Sequence, residues 1–302
     1  VFLVDKKGGG SRLVLNLREF NGWMFYRHFK MEGIHLLRDL LQEGDWLVRL
    51  DLKDAYLSVP VFSPHRRFLQ FWWQGQCFEY QVLPFGLSSA PWCFTKIMRP
   101  VVESLRSRGV RLIIYLDDLL IMANCPQMVM CHLEWAISLL QNLGFIINVP
   151  KSCLTPAQEM DFLGFQVNSI SCQLILPNLK LRYIKKELRA LLASTQVSLR
   201  AIARVVGLLA SSIQAIFPGP LHYRALQRLK IRHLQKGLGY SEMIPLSLEA
   251  KREISWWLDH MEAWNGRAIF GPRPDMVLES DASRWGWGAR CGPIATGGRW
   301  SR

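Results

Sequence analysis

Much is missing from this sequence, and each absence removes a class of protein. No apolar run is long enough to span a bilayer, because acids or polar side chains interrupt each one. The chain does not open with a cationic start, an apolar stretch and a small-residue cleavage site. Cys-x-x-Cys does not occur, and the seven cysteines, at 77, 93, 125, 131, 153, 172 and 291, are odd in number. This pattern argues against a disulfide framework or a zinc ribbon, and reduced, mostly buried thiols are expected. Internal repeats and low-complexity tracts are absent too. We therefore expect a soluble chain without membrane contact, located in cytoplasm or nucleus.

Acid is also in short supply. Asp and Glu total 24 against 37 Lys and Arg, a formal charge of +13. Such a surplus draws polyanions by counterion release and steers them inward, so nucleic acid is the first partner to consider. A basic but ordinary enzyme is the competing reading. Apolar residues are plentiful, at 50% with 12 Trp and 15 Phe. The 302 residues can therefore bury a sizeable core and fit about two or three units.

The first segment, Val1 to Asn21, holds a basic glycine loop from Asp5 to Arg12, then the alternating Leu13 to Leu17. It reads as a flap over an anionic ligand, with a solvated hairpin turn as the alternative. Ile34 to Leu41 has helical period, and Trp46 to Leu50 is a strand running into Asp51. A hairpin is expected from Phe68–Trp73 and Cys77–Val82, turned at Gln74 to Gln76. Helices are expected over Trp92–Ser107 and Gln127–Leu143, with β-rich runs Val110–Leu116 and Leu119–Met122 between them. Short strands should follow near Phe145–Asn148, Phe162–Val167 and Leu174–Leu176. This interleaving implies an α+β fold, a sheet backed by helices.

The pattern changes at Pro177. From Asn178 to about Gly266 we read no strand but four amphipathic helices, Leu181–Leu192, Leu199–Ile216, Leu221–Leu234 and Leu246–Trp264. They carry many of the basic residues, and the Trp256-Trp257 pair within them reads as core in preference to a base-stacking platform. Strand character returns at Met276–Asp281 and Trp285–Ala289.

The chemistry resides in acids at strand ends. Tyr115-Leu116-Asp117-Asp118 puts two adjacent carboxylates at a turn between apolar strands, and Asp51 ends another. Adjacent carboxylates near a core repel and lose hydration, a cost of several kcal/mol that a divalent metal removes. Mg²⁺ takes one or two protein carboxylates and completes its shell with water and substrate phosphate. If the two strands are neighbours, Asp51 and Asp117 meet and can bridge two ions, an arrangement suited to in-line phosphoryl displacement. Taken singly, Asp117-Asp118 reads equally well as a solvated turn and Asp51 as a helix cap.

Together these residues resemble a known family. Tyr-x-Asp-Asp between apolar strands is the signature turn of reverse transcriptases, and Leu50 to Tyr56 resembles their first metal-binding motif. Leu83 to Pro91 is similar to their nucleotide and template loop, Leu17 to Asn21 to their fingers motif, and Leu143 to Phe145 with Asn148 and Lys151 to the segment behind the active site. Phe162, Leu163, Gly164 and Phe165 resemble the primer-grip hairpin. Phrases such as Tyr26 to Glu32 and Asp51 to Pro60 are similar to long-terminal-repeat elements, DIRS-like ones above all. Glu279 to Ser283 with Gly286 to Ala289 resembles the first strands of an RNase H domain.

The resemblance implies a right-hand polymerase, with fingers and palm over 1–175, a helical thumb and connection over 176–270, and the beginning of an RNase H domain over 271–302. It implies RNA templates, a DNA primer–template duplex and deoxynucleotides as partners, and two Mg²⁺ ions, with Mn²⁺ as an alternative. No oligomeric state follows. By resemblance, Asp51, Asp117 and Asp118 hold the metal ions, with the Leu52 carbonyl as a further ligand. Lys7 and Arg12 neutralise the triphosphate, and the Asp54 and Ala55 N–H groups meet it at a helix start. Tyr56 stands at the steric gate, Phe85 and Gly86 form the nucleotide loop, and Lys151 is a candidate general acid for pyrophosphate.

Departures from the pattern are Phe85, where retroviral enzymes carry glutamine, and Asn16 in place of an aspartate before the fingers arginine. The fingers also start abruptly at Val1, so part of that subdomain is expected to be missing. An inactive scaffold would need a lost carboxylate, and Asp51, Asp117 and Asp118 are all present. An activity confined to RNase H is the other alternative. Of that domain's carboxylates only Asp281 is matched, so this chain is expected not to cut hybrids.

Overall fold

In the computed structural model, which describes residues 1–5, 10–25, 27–271 and 275–300, segments with a period of two pair as strands. Those with a period of 3.6 coil as helices. At the N-terminal end β1 (Phe2–Asp5) and β2 (Ser11–Val14) form a hairpin, Phe2 opposite Val14. Lys7, in the loop between them, lies outside the described residues. Short helices α1 (Arg18–Trp23) and α2 (Leu37–Leu40) lead to β3 (Trp46–Asp51). After α3 (Ser63–Arg66), strands β4 (Gln70–Trp73) and β5 (Gln76–Glu79) form a second hairpin. Its turn residues Gln74 and Gly75 both have positive φ, as a two-residue turn between right-twisted strands requires.

The central sheet follows from two-sided burial. Helix α4 (Ala90–Arg106), strands β6 (Arg111–Tyr115) and β7 (Asp118–Ala123), helix α5 (Pro126–Asn142) and strand β8 (Cys153–Ala157) complete it. The strand order is β6-β7-β3-β8, every pairing antiparallel. Val48, Leu50, Leu119 and Ile121 pack one face against Phe94 and Met98 of α4 and Leu133 and Ala136 of α5. Leu47, Leu120 and Met122 pack the other face toward a second sheet. That sheet runs β14-β11-β10-β9, from β9 (Glu159–Phe162), β10 (Phe165–Asn168), β11 (Gln173–Ile175) and β14 (Arg267–Ala268).

Between β11 and β14 lie α6 (Asn178–Ala193), α7 (Leu199–Ala210), α8 (Arg224–Gln235) and α9 (Leu248–His260). Ser198 and Ser247 cap α7 and α9, their hydroxyls accepting from Ala201 and Ala250 N–H. Trp257 is fully buried, donating its Nε1–H to the His222 carbonyl at 2.8 Å, while Trp256 stacks between His222 and His260. Both rings of the tryptophan pair thus serve packing. Last come β15 (Leu278–Ala282), β16 (Gly286–Cys291) and β17 (Ile294–Arg299), a three-stranded antiparallel meander with Trp285 74% exposed. The fold is α+β. Among the described residues no helix is long and apolar enough to cross a membrane.

Several local expectations are corrected. The stretch read as purely helical contains two-residue strands, β12 (Val197–Ser198) and β13 (Met243–Ile244), too short to leave a period in sequence. Phe145–Asn148 is no strand. It makes one bridge, Leu52 to Ile147, before a 3-10 turn at Val149–Lys151 set up by Pro150. Phe162–Val167 is the turn and halves of a hairpin, with Leu163 and Gly164 at φ of +49° and +80°. β8 was unforeseen because Pro156 speaks against a strand, which an edge position tolerates. The thiols are free, but none is fully buried. Cys77 and Cys153 are exposed, one on the solvated β4–β5 hairpin and the other at the start of edge strand β8.

Candidate active site

Three carboxylates lie together where β3 ends and β7 begins. Asp51 is the register partner of Asp118 across the antiparallel pair, so both side chains leave the same face of the sheet. Asp117 precedes β7 in the two-residue turn from β6, whose first residue, Leu116, has φ +56°. That conformation costs a non-glycine residue of order 1–3 kcal/mol and must be held by its surroundings. One restraint is visible: Leu52 N–H donates to the Asp117 carbonyl at 2.8 Å, pinning the turn to the end of β3.

Asp51 is held from the other side. Asn148 donates its Nδ2–H to Asp51 Oδ1 at 2.6 Å and its backbone N–H to the Asp51 carbonyl at 2.8 Å. Ser152 Oγ accepts from Asp51 N–H at 3.0 Å while donating to the Asn148 carbonyl at 2.9 Å. Ser152 was not foreseen, and nothing local in the sequence marks it beyond a polar side chain after Lys151.

The electrostatics follow from burial. Asp118 is pushed up to about 6, first by burial, then by Asp117 and Asp51, with Arg49 and Lys151 opposing. Asp117 is raised for the same first reason, with Asp51 adding and its own backbone hydrogen bond, Arg12 and Lys151 opposing. Tyr56 is pushed up to about 12 by burial and by the charge of Asp117, so its hydroxyl keeps its proton.

This donor set fits a hard divalent cation. Three carboxylates lie together, two of them with pKa raised above the ordinary carboxylate value, and a cation would reverse that tension. Among the described residues no three or more His, Cys, Asp or Glu close a cage around one point. Mg²⁺ needs no such cage, because water and substrate phosphates complete its shell.

A thermal consequence can be measured. Because the folded pKa of Asp118 lies above its ordinary 3.8, the metal-free fold takes up a proton more readily than the unfolded chain. This group therefore adds stability as pH falls through about 6 toward about 4. Mg²⁺ should raise Tm at about pH 7.5, with a gain that shrinks as protons displace it below about pH 6. A Mg²⁺ gain unchanged between those pH values would refute metal binding at these carboxylates.

Beside the carboxylates the Arg12 guanidinium lies 4.0 Å over the Phe85 ring, and Phe85 packs on Tyr56 at 5.4 Å. Tyr56 is backed by Phe94 at 5.8 Å, and Arg12 Nε is buried without a hydrogen-bond partner. Gly86, at φ +104°, lets this loop touch the chain after β2, where a Cβ would stand 2.3 Å from the Leu15 carbonyl oxygen. Leu15 N–H donates to the Phe85 carbonyl at 3.1 Å, and Asn21 Nδ2–H to the Gly86 carbonyl at 2.8 Å. Asp54, at φ +51°, precedes a single 3-10 turn, Ala55–Ser58, so the expected helix start is too short for a substantial dipole. Lys151 is exposed, and its charge reaches Asp117 and Asp118.

The β9–β10 hairpin keeps Phe162 and Phe165 in the core at 1% and 5% exposure, and at its tip Leu163 is partly buried against that core while Gly164 is exposed. Lys180 Nζ reaches the Gly164 carbonyl at 3.5 Å. Asp281 lies on the separate β15–β17 sheet, exposed, its Oδ1 accepting from Ala282 N–H at 2.8 Å.

Residues 4–167 match the family model described as reverse transcriptase (RNA-dependent DNA polymerase). The Tf2-3 and Tf2-7 transposon polyproteins of Schizosaccharomyces pombe are 28% and 27% identical over 168 residues. The match covers 56% of this chain and 12% of each relative, so the chain spans only a small part of their length. A solved foamy viral protease-reverse transcriptase in complex with double-stranded DNA superposes with TM-score 0.73 at 17% identity. It covers 96% of this chain and 48% of that one. A foamy viral protease-reverse transcriptase in complex with an RNA/DNA hybrid gives 0.70 at 18%, over 99% and 39%. At these identities the likeness shows the fold.

Proposed function

The chain belongs to the reverse transcriptase family, and from that premise we propose that it is an RNA-directed and DNA-directed DNA polymerase. It would extend a primer 3′-hydroxyl with deoxynucleotides, pyrophosphate leaving. The observation that carries this reading is the register of Asp51 opposite Asp118 with Asp117 at the adjoining turn. Asp51, Asp117 and Asp118 would hold two Mg²⁺ or Mn²⁺ ions, with the Leu52 carbonyl as a further ligand. When bound, these ions stabilise charge on the attacking and leaving oxygens of an in-line displacement. Arg12 would turn from Phe85 to the triphosphate, joined by Lys7. The Asp54 and Ala55 N–H groups would approach the same phosphates, Phe85 and Gly86 would shape the nucleotide pocket, and Lys151 would pass a proton to pyrophosphate. The Leu163–Gly164 tip between Phe162 and Phe165 would meet the primer.

In this reading residues 1–175 form fingers and palm, 176–270 thumb and connection, and 271–302 the beginning of an RNase H domain that includes Asp281. The polyprotein likenesses support an origin in a long-terminal-repeat retrotransposon, and the wording of residues 51–60 a DIRS-like one. Primer extension on RNA and DNA templates, with Mg²⁺ and then Mn²⁺, tests the function; no extension on either template refutes it.

Tyr56 gives a sharper test. Its half-buried ring is wedged against Phe85 and Phe94, and we propose that its outer edge blocks a 2′-hydroxyl. Tyr56→Ala should raise ribonucleotide incorporation relative to deoxynucleotide by about a hundredfold. An unchanged ratio removes Tyr56 from that role.

A further inference from the structure

The guanidinium of Arg49 sits where three segments meet. Strand alternation places Arg49 on the face of β3 that carries Leu47 and Asp51, away from Val48 and Leu50. Its Nη1–H donates to the Asp161 carbonyl of β9 at 2.7 Å, and its Nη2–H to the Lys151 carbonyl at 2.9 Å. These acceptors lie 112 and 102 residues along the chain. Arg49 Nε is buried without a hydrogen-bond partner. One planar head therefore bridges the strand ending in Asp51, the turn that braces Asp51 through Asn148 and Ser152, and the hairpin ending in the Leu163–Gly164 tip.

Resting on the polymerase reading above, we propose that Arg49 is a positioning residue that fixes the hairpin and the Lys151 turn against the catalytic strand, and so places the primer end before the carboxylates. The planar fork matters. Two donors at a fixed spread hold two carbonyls at once, whereas a lysine ammonium, though equally charged, is a point donor on a flexible stem. Arg49 touches neither primer nor nucleotide in this role; it acts through the backbone of Asp161 and Lys151. A displacement near 1 Å at a reacting centre is enough to slow it about a hundredfold. The charge of Arg49 also reaches Asp118, and a purely electrostatic role would be served equally by lysine.

The test compares Arg49→Lys and Arg49→Met with the wild-type 302-residue chain. On a primed template both should lower kcat by about tenfold to a hundredfold, while KM for the deoxynucleotide stays within about threefold. Amides of the β9–β10 hairpin should exchange hydrogen faster in Arg49→Lys than in wild type, without general loosening. Wild-type kcat in Arg49→Lys, or a loss confined to KM, overturns the proposal. If the wild-type chain itself does not extend primers, the polymerase reading fails instead. The exchange measurement then decides for Arg49, and unchanged hairpin exchange overturns it.

Discussion

Asp117→Asn should abolish primer extension while leaving the protein folded and able to hold duplex. Asparagine keeps the volume but removes a charge the proposed metal ions require. Losing about 4 kcal/mol of transition-state stabilisation lowers the rate about a thousandfold. Affinity for duplex should change little, because basic residues elsewhere supply most of it by counterion release. The substitution has a second signature. Burial and the charge of Asp51 raise the pKa of Asp117 above its ordinary value, so removing its charge relieves the metal-free protein. Tm without divalent metal should hold or rise, while the stabilisation conferred by Mg²⁺ should fall. Extension by the variant within a few-fold of wild type would sink the metal-ligand assignment. A large Tm loss with weak duplex binding would mean that Asp117 is structural.

The largest expected effect on the fold comes from Gly86→Ala. Two independent restraints act on Gly86: φ is +104°, and a Cβ would lie 2.3 Å from the Leu15 carbonyl oxygen. The neighbour is backbone, held in turn by the Leu15 N–H bond to Phe85, so it cannot rotate away as a side chain would. Strain and clash together should cost about 3 kcal/mol, lowering Tm by roughly 6–12 °C. The chemical consequence is separate. Phe85 carries the Arg12 guanidinium at 4.0 Å, so a displaced loop moves both away from Tyr56 and the carboxylates. KM for the deoxynucleotide should rise well before unfolding sets in. A variant with wild-type Tm and KM would show that the close approach of the two segments is dispensable.

Much of this was legible in the residues themselves. Acids ending apolar strands, the Gln74-Gly75 turn and the 3.6-residue periods of α4 to α9 depend on neighbours a few positions away, so local pattern reports them. The tightly packed Trp257 was likewise foreseeable from its setting in an amphipathic helix. Interactions between distant segments left no such trace. That Asp51 faces Asp118 directly, with Asp117 at the turn, depends on the register of strands about seventy residues apart, which the packing of both sheet faces selects. Ser152 and Arg49 are ordinary residues in sequence and became braces only when the chain closed over intervals of 101 to 112 residues. The same closure drew Phe162 and Phe165 into the core, packed Leu163 partly against it and left Gly164 at the hairpin tip exposed. Sequence by itself therefore determined which side chains can do chemistry and which segments carry them. Only the tertiary structure decided their spacing, their burial and hence the raised pKa of Asp118, because desolvation is set by everything packed around a group and not by its neighbours along the chain.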